Sequence, residues 1–569
     1  MFRLLRDVVK TETNTAGTRS LVVCGVLIIA AVNASWMLSS RTLDSHECFV
    51  SVTAREMLQS GNWAFPTCNG RPRLNKTPLP YWLVAGVGKI TGKIDELTAR
   101  LPSAFFAFLS AAAILYFVNR WLSFRIAVIS ASVWATSLGY IRCSHSARPD
   151  MALAFFVVLC LSSFYSAVNT ENRSEQVIYM LVFWVSFGLG MLAKGPAPVP
   201  YVFIPVFLYI AFNRQWKIVY QLLPIAGSII FLAIVLPWPL FIARKVNWDL
   251  TVWKREFFDR LFGDYAAGHF PVYYYLLIMF KYVTPWVAFL PMALAAPFFS
   301  VWRNKRPVMM FLWLWFVPGM LFLTIDVCKR QHYILPLMPA MTVLVGILLE
   351  DMVFVRRAFS LRYAKSVLRN HVLVIIGGVI AGTVYIAQKR RDILSESIVL
   401  GVPTIAIAAA VALLFAKRKP AAALGMVFAG IVAWVMISKA CFATMLDVDR
   451  HSRDFARKVA QIVPQSDRLV AYRHVSSRFV QYFGKVVPEI QDRSELSRRY
   501  RQGDWVVCSS EYLEDLTQDK GLRRIYYRAP IAGEEKEDAG GVLFHRTAPV
   551  MENTGNNVPG SKSILPEDG

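Results

Sequence analysis

From residue 20 to residue 441 the chain is built of apolar runs of about 17–25 residues with short polar segments between them. A run of that length is a bilayer-crossing helix, because only a helix satisfies every backbone N–H and C=O inside lipid. The runs place spans near residues 20–38, 101–119, 125–141, 150–168, 177–193, 197–213, 222–243, 272–300, 307–325, 331–350, 372–388, 398–416 and 421–441. The expected fold is a polytopic α-helical membrane protein of about 13 transmembrane helices, with a small C-terminal α/β extracytoplasmic domain. A hydrophobic content of 55% agrees with this and is too high for a soluble protein. The net charge of +24 then reads as membrane topology and not as a nucleic-acid surface.

Charge sets the orientation. Residues 1–19 carry Arg3, Arg6, Lys10 and Arg19 against Asp7 and Glu12, which places the N-terminus in the cytoplasm. The loops then expected inside hold Arg120/Arg125, Arg173, Arg214/Lys217, Arg303/Lys305/Arg306, the basic segment 356–369 and Lys417-Arg418-Lys419. Lys389-Arg390-Arg391 disagrees, since it falls outside. The first span has no cleavage site after it and reads as an anchor, not a removed signal. The domain reading is a cytoplasmic segment 1–19, a membrane domain 20–445 with a first outer loop at 39–100, an extracytoplasmic α/β domain 446–549 and a disordered tail 550–569. Eight cysteines without CxxC spacing indicate neither a zinc site nor a disulfide framework, although Cys48 and Cys68 share the first outer loop.

That outer loop is the densest stretch. Asp44 and Glu47 have the spacing of a capping box at the start of a helix running through Leu58. Asn69-Gly70 reads as a turn between two short extended pieces. Lys76-Thr77-Pro78 opens a short apolar helix, Leu79–Ile90, assigned to the membrane interface.

With this topology the outer loops collect one set of polar groups. The first contributes Asp44, His46, Glu47, Arg55 and Lys76; the next Arg142, His145, Arg148 and Asp150; the next Lys194. The long loop 244–271 contributes Arg260, Asp264 and His269, and residues 328–333 contribute Lys329, Arg330, His332 and Tyr333. Several cations with two or three carboxylates at span ends suit a lipid-linked phosphate and an acid–base step. Each also has a plainer role. Asp44, Glu47 and Asp150 can cap helices, Arg55 can pair with Glu47, and Lys76, Arg260, Lys329 and Arg330 can anchor to headgroups. The histidines lack metal-ligand spacing, and no metal or other cofactor is expected.

Five phrases in order give these residues a family context. They are His46 to Trp63 (HECFVSVTAREMLQSGNW), Asn75 to Leu83 (NKTPLPYWL), Ala147 to Met151 (ARPDM), Ala193 to Pro196 (AKGP) and Cys328 to Ala340 (CKRQHYILPLMPA). In that order, from residue 20 to about 350, the chain resembles the GT-C superfamily of membrane glycosyltransferases, in particular protein O-mannosyltransferases and bacterial lipid A aminoarabinose transferases. The resemblance implies transfer of a sugar from a polyprenyl-phosphate donor to a hydroxyl or phosphate of a lipid, glycan or protein acceptor, on the outer face of the inner (plasma) membrane. It also implies an N-terminus inside, a C-terminal domain on the outer face, and no divalent metal. Where the family has an Asp-Glu pair, this chain has His46-Glu47, with Asp44 two residues earlier. Glu47, Asp44 or His46 therefore takes the base role, or the chain binds substrate without turning it over.

Carried onto these residues, the mechanism is an inverting transfer. Glu47 or Asp44 deprotonates the acceptor, and Asp150 orients the sugar or acceptor. Lys76, Arg260, Lys329 and Arg330 hold the donor phosphate, and Arg55, Arg148, Lys194, His269 and Tyr333 complete the substrate site. The alternative is a polyprenyl-phosphate-sugar binding or transport protein without transferase activity. A transporter would show midplane charges in broken spans and inverted repeats; here the charges sit at span ends, apart from Lys281.

Overall fold

The computed structural model describes residues 16–247, 249, 251–254, 270–325, 329–356, 361–389, 394–443, 447, 449–492, 495–496, 503–517, 522–530 and 540–546. The chain divides into two compact units, Met1–Arg450 and His451–Gly569. Arg260, Asp264 and His269 lie outside the described residues, as do Arg390, Arg391 and the tail 550–569.

The first unit is a helical bundle. It opens with α1 (Ala16–Ser35), then α2 (Ser45–Ser60), the hairpin β1 (Thr67–Cys68) and β2 (Arg71–Pro72), and α3 (Leu79–Thr91). The hairpin turns on Asn69 and Gly70, both with positive φ (53° and 73°), the geometry an Asn-Gly turn favours. Next come α4 (Glu96–Trp121), α5 (Phe124–Ala135), α6 (Leu138–Ser144), α7 (Asp150–Val168), α8 (Arg173–Lys194) and α9 (Pro198–Asn213). They are followed by α10 (Pro224–Val235), α11 (Pro237–Lys245), α12 (Tyr274–Val283), α13 (Arg306–Ile325), α14 (Met338–Glu350), α15 (Leu361–Lys389), α16 (Leu394–Ala416) and α17 (Pro420–Phe442). Among the described residues eight helices are long and apolar enough to cross a membrane, or up to 11 if each of three bent pairs is one span. Two shorter apolar helices, Pro198–Asn213 and Ile376–Gln388, fall on the expected spans at 197–213 and 372–388. The chain is a multi-pass helical membrane protein.

The bent pairs correct the reading of 125–141, 222–243 and 272–300 as straight spans. α5 and α6 meet at 57°, α10 and α11 at 43°, and α12 meets the helical segment Trp286–Phe298 at 115°. Pro237 and Pro285 stand at two of the breaks, where the missing N–H and the ring cannot continue a helix. At the third, the Thr136 and Ser137 hydroxyls donate back to the Ser132 and Trp134 carbonyls. Two breaks satisfy each other: the Leu138 N–H donates to the Thr284 carbonyl at 2.9 Å, and the Trp286 indole to the Thr136 hydroxyl at 3.2 Å. Unwound backbone at membrane depth is tolerated where protein meets its polar groups in this way.

The centre of the bundle is α14, every residue of which is buried. Polar ties between distant residues cross the core. The Trp134 indole donates to Ser110 at 2.8 Å, the Tyr140 hydroxyl to the Ala30 carbonyl at 2.9 Å, and the Asn33 amide to the Ala135 carbonyl at 2.9 Å. These bonds hold α1, α4, α5 and α6 together. α14 meets α5 at Gly346, where a Cβ would fall 2.1 Å from Ser130 Oγ and 3.0 Å from Ser130 Cα.

The second unit carries α18 (Arg450–Ile462), β3 (Leu469–Tyr472), α19 (Ser477–Phe483), β4 (Glu489–Ile490), β5 (Trp505–Cys508), α20 (Leu513–Thr517), β6 (Leu522–Arg528) and β7 (Gly541–Arg546). The sheet order is β4-β3-β5-β7-β6, with β4, β3 and β5 parallel and β7 antiparallel to both its neighbours. Two of these strands have no strand signature in the sequence. β6 is an edge strand with mostly exposed side chains, so Leu-Arg-Arg-Ile-Tyr-Tyr-Arg shows no alternation. β4 is only two residues long.

Replacing Gly346 by Val is expected to force α14 off α5 and to cost about 1–3 kcal/mol. Gly86→Ala, at a position with nothing within 4 Å of the new Cβ, serves as the control. The unfolding midpoint of the protein in detergent should fall in the first variant and not in the second.

Candidate active site

The site begins at the N-terminus of α2. Asp44 is the cap: its Oδ1 accepts the Glu47 N–H at 2.8 Å, and Glu47 Oε2 accepts the Asp44 N–H at 2.9 Å. Glu47 does more than close this box. It is 3% exposed, and its Oε1 accepts the Ala147 N–H at 2.7 Å. Arg100, near the start of α4, grips both carboxylate oxygens, Nε to Oε1 at 2.9 Å and Nη2 to Oε2 at 2.7 Å. The same guanidinium donates to the carbonyls of Leu38 and Arg41, both at 2.8 Å, and of Thr42 at 3.0 Å. All five of its N–H donors are thus used. From the other side, Asp447 Oδ2 accepts the Thr42 N–H at 2.9 Å and the Thr42 hydroxyl at 2.7 Å. The loop 38–44 is fixed at both its carbonyls and its amides.

This leaves the two acids in different states. Glu47 has four hydrogen bonds and is closed off. The Asp44 side chain is 40% exposed and receives Arg148 Nη2 on Oδ2 at 2.7 Å. Burial opposes ionisation of Asp44, but the Arg148 charge and the Glu47 N–H outweigh it and hold the carboxyl below its ordinary value of 3.8. Asp150, the first residue of α7, is paired with Lys194 from the end of α8, and His332 Nε2 lies 3.8 Å from the same oxygen. Lys194 Nζ sits 4.7 Å over the Tyr333 ring, whose backbone carbonyl accepts the Tyr201 hydroxyl. His145 Nδ1 lies 2.7 Å from the Ile141 carbonyl and Nε2 3.1 Å from the Trp36 carbonyl; burial pushes its pKa down to about 4, so the ring stays neutral and donates to one of the two.

Asp44, Glu47, Arg100, Arg148, Asp150 and His332 all line one cavity of about 600 Å³. Its other walls come from Arg41, from Arg142 at the end of α6, from Lys329 and Arg330, from Phe270, Tyr274 and Tyr282, and from Lys439 in α17 with Asp449 beyond it. Arg41, Arg142, Lys329, Arg330 and Lys439 have no ion-pair partner among the described residues. Unpaired cations at the end of a membrane bundle are costly unless an anion arrives. A cavity that presents the Asp44 carboxylate beside an aromatic wall and several cations without an ion-pair partner among the described residues suits a phosphate leaving group and a proton acceptor beside it. No group of three or more potential metal ligands occurs among the described residues.

The cavity does not take every predicted residue. Asp44, Glu47, Arg148, Asp150, Lys329 and Arg330 line it, and Lys194 and Tyr333 stand directly behind Asp150. His46 is exposed and not among the lining residues. Arg55 is half-buried and does not line the cavity; it lies within electrostatic reach of Glu56 and Cys68. Lys76 is half-buried in the loop before α3 and does not line the cavity. Cys48 and Cys68 are free thiols. Sequence reasoning missed Arg100, although a cation opening an apolar span is a signal. It also missed Lys439, which sits in the last turn of the last span.

The fold is that of the GT-C membrane glycosyltransferases. Its likeness to the ArnT protein of Cupriavidus metallidurans, solved bound to undecaprenyl phosphate, has a TM-score of 0.78 at 19% identity, covering 93% of this chain and 98% of that one. Residues 75–241 match the family model for dolichyl-phosphate-mannose-protein mannosyltransferases. Among curated relatives, an undecaprenyl phosphate-α-4-amino-4-deoxy-L-arabinose arabinosyl transferase of Pseudomonas fluorescens is 25% identical over 59% of this chain and 60% of its own length. The corresponding transferase of Yersinia pestis is 27% identical over 52% of this chain and 53% of its own length. The chain thus matches little more than half the length of these relatives.

Two variants should separate the acids. Glu47→Gln leaves Arg100 buried without its counter-charge and is expected to cost about 3–5 kcal/mol, read as a lower unfolding midpoint. Asp44→Asn keeps an N-cap acceptor and should change that midpoint little. The sign of the Asp44 pH dependence follows from its lowered pKa. The pair's contribution to stability is complete above the ordinary value of 3.8 and is lost as pH falls through the lower folded-state value. Acid titration of wild type against Asp44→Asn should show the extra loss in wild type alone.

Proposed function

We propose that the protein is a glycosyltransferase. It moves a sugar from a polyprenyl-phosphate donor to a hydroxyl or phosphate of a lipid, glycan or protein acceptor, on the extracytoplasmic face of the plasma membrane. The N-terminus is cytoplasmic and the second unit extracytoplasmic, the orientation that all the basic loops but 389–391 support. The observation that carries the reading is the accessible Asp44 carboxylate in one cavity with Arg142, Lys329 and Arg330, cations that have no carboxylate partner among the described residues. The relatives named as undecaprenyl-phosphate arabinosyl transferases support the donor class; whether the sugar is a pentose or a hexose follows from the transfer assay.

The reaction is a single displacement at the anomeric carbon. With a hydroxyl acceptor, Asp44 takes the proton from the acceptor oxygen as that oxygen forms its bond to carbon; a phosphate acceptor attacks through an oxygen that is already ionised. The bond from carbon to the phosphate oxygen breaks, its electron pair leaves with polyprenyl phosphate, and the configuration inverts. Arg142, Lys329 and Arg330 meet the charge that grows on the phosphate, so its departure needs no protein acid. Glu47 does not act as the base, because its oxygens are already occupied by Arg100, Ala147 and Asp44. Arg148 aims the Asp44 carboxylate, and Asp150 with Lys194 and His332 forms the opposite polar wall. Phe270 and Tyr274 offer rings to the sugar face, their centroids 4.7 Å apart.

Labelled sugar offered on polyprenyl phosphate in proteoliposomes tests this. Wild type should transfer it, Asp44→Asn should lower kcat by about 10²–10⁴-fold, and Arg330→Gln should weaken donor binding, raising KM. Donor binding without transfer in wild type, or full turnover in Asp44→Asn, would overturn the assignment.

A further inference from the structure

The second unit holds a crevice that the transfer chemistry does not use. It has a volume of about 30 Å³ and lies where strands β3 and β5 end. These strands are parallel neighbours. The chain leaving β3 runs through α19 to β4 on one side, and the chain leaving β5 runs to α20. Such a parting of connections at the carboxyl ends of parallel strands is where open α/β sheets take ligands. The end of β6 supplies Arg528 and the residue before β7 supplies Gly540 to the same edge. Phe455 and Phe479 form an apolar wall, their ring centroids 5.9 Å apart.

The lining has a definite chemistry. Among the described residues, Arg528 and His474 are its cationic or protonatable members, and no carboxylate of those residues lines it. The Arg528 guanidinium rests 5.7 Å over the Phe455 ring, and Glu489 Oε1 lies 3.0 Å from His474 Nδ1. Ser452 lines the crevice at 5% exposure, and its Oγ is buried with no hydrogen-bond partner. A buried hydroxyl without a partner is destabilising, so an acceptor brought to it is favoured. Gly540 has φ +66°, and a Cβ there would fall 1.9 Å from Ser510 Oγ and 2.9 Å from the Arg528 carbonyl. Backbone therefore closes onto this wall with no room for a side chain.

We propose that this crevice binds a small oxyanion, the terminal phosphate or carboxylate of a larger ligand whose remainder stays in solvent. Its volume admits such a group and not a sugar ring. Arg528 supplies the charge-assisted donors and Ser452 the hydroxyl. The site is independent of the transferase reading.

Hydrogen–deuterium exchange on the full-length protein in detergent tests it, with inorganic phosphate, acetate or chloride at matched ionic strength. Phosphate or acetate should slow exchange in peptides covering 473–480 and 505–512 relative to chloride. Protection by phosphate alone assigns a phosphate-bearing ligand, and protection by acetate alone a carboxylate; either supports the site. Arg528→Gln should weaken the effect about tenfold, Ser452→Ala should weaken it less, and Arg528→Lys should retain most of it. Unchanged exchange in the β3 amides, 469–472, which lie outside the readout peptides, reports an intact sheet, and Ser452→Ala carries the test if Arg528→Gln disturbs it. Because phosphate also suits the large cavity, Arg330→Gln is included and should leave the crevice effect untouched. No protection beyond chloride, or protection that survives both Arg528→Gln and Ser452→Ala, overturns the proposal. So does protection lost in Arg330→Gln.

Discussion

The site depends on the buried pair between Arg100 and Glu47. A charge pair taken out of water contributes little net stability unless its geometry is good and its remaining donors and acceptors are met. Here every donor of the guanidinium is met, and the carboxylate takes four hydrogen bonds. The consequence is positional. Three carbonyls of the segment 38–42, the α2 cap and the loop carrying Arg148 are referred to one fixed group. Asp44 is left positioned but not occupied on all sides, the arrangement that the proposed base role needs.

A second constraint comes from the membrane. Cations at the end of an apolar bundle must be carried there by backbone that leaves helical geometry without stranding its polar groups. The breaks before Leu138 and after Val283 meet that demand together, through the bond from Leu138 to the Thr284 carbonyl. They place Arg142, Tyr274 and Tyr282 on a shared wall. The steep turn after α12 is thus part of how the cavity is made.

Much of this was legible in the sequence, and the boundary between legible and hidden follows the range of the interactions. Spans, the Asp44–Glu47 cap and the Asn69-Gly70 hairpin depend on neighbours a few residues away; the cap and the hairpin are present where expected, and so are the apolar stretches, three of them as bent pairs. The gathering of Asp44, Arg148, Asp150, Lys329 and Arg330 was read from topology and ordered phrases. The difference in environment between Asp44 and Glu47 was not readable, because Glu47 is held by Arg100, 53 positions away. Apolarity likewise hid the breaks in 125–141 and 272–300, since a bent pair has the same composition as a straight span. Lys76 shows the reverse case: its phrase suggested the phosphate site, and the fold puts it outside the cavity lining.

The most direct measurement is a structure of the protein with polyprenyl phosphate bound. The account predicts the phosphorus in the large cavity, with its oxygens within about 4 Å of nitrogens of Arg142, Lys329 or Arg330, and Asp44 facing the open side where the sugar carbon would stand. A phosphate bound at Lys76, away from those three cations and from Asp44, would contradict it.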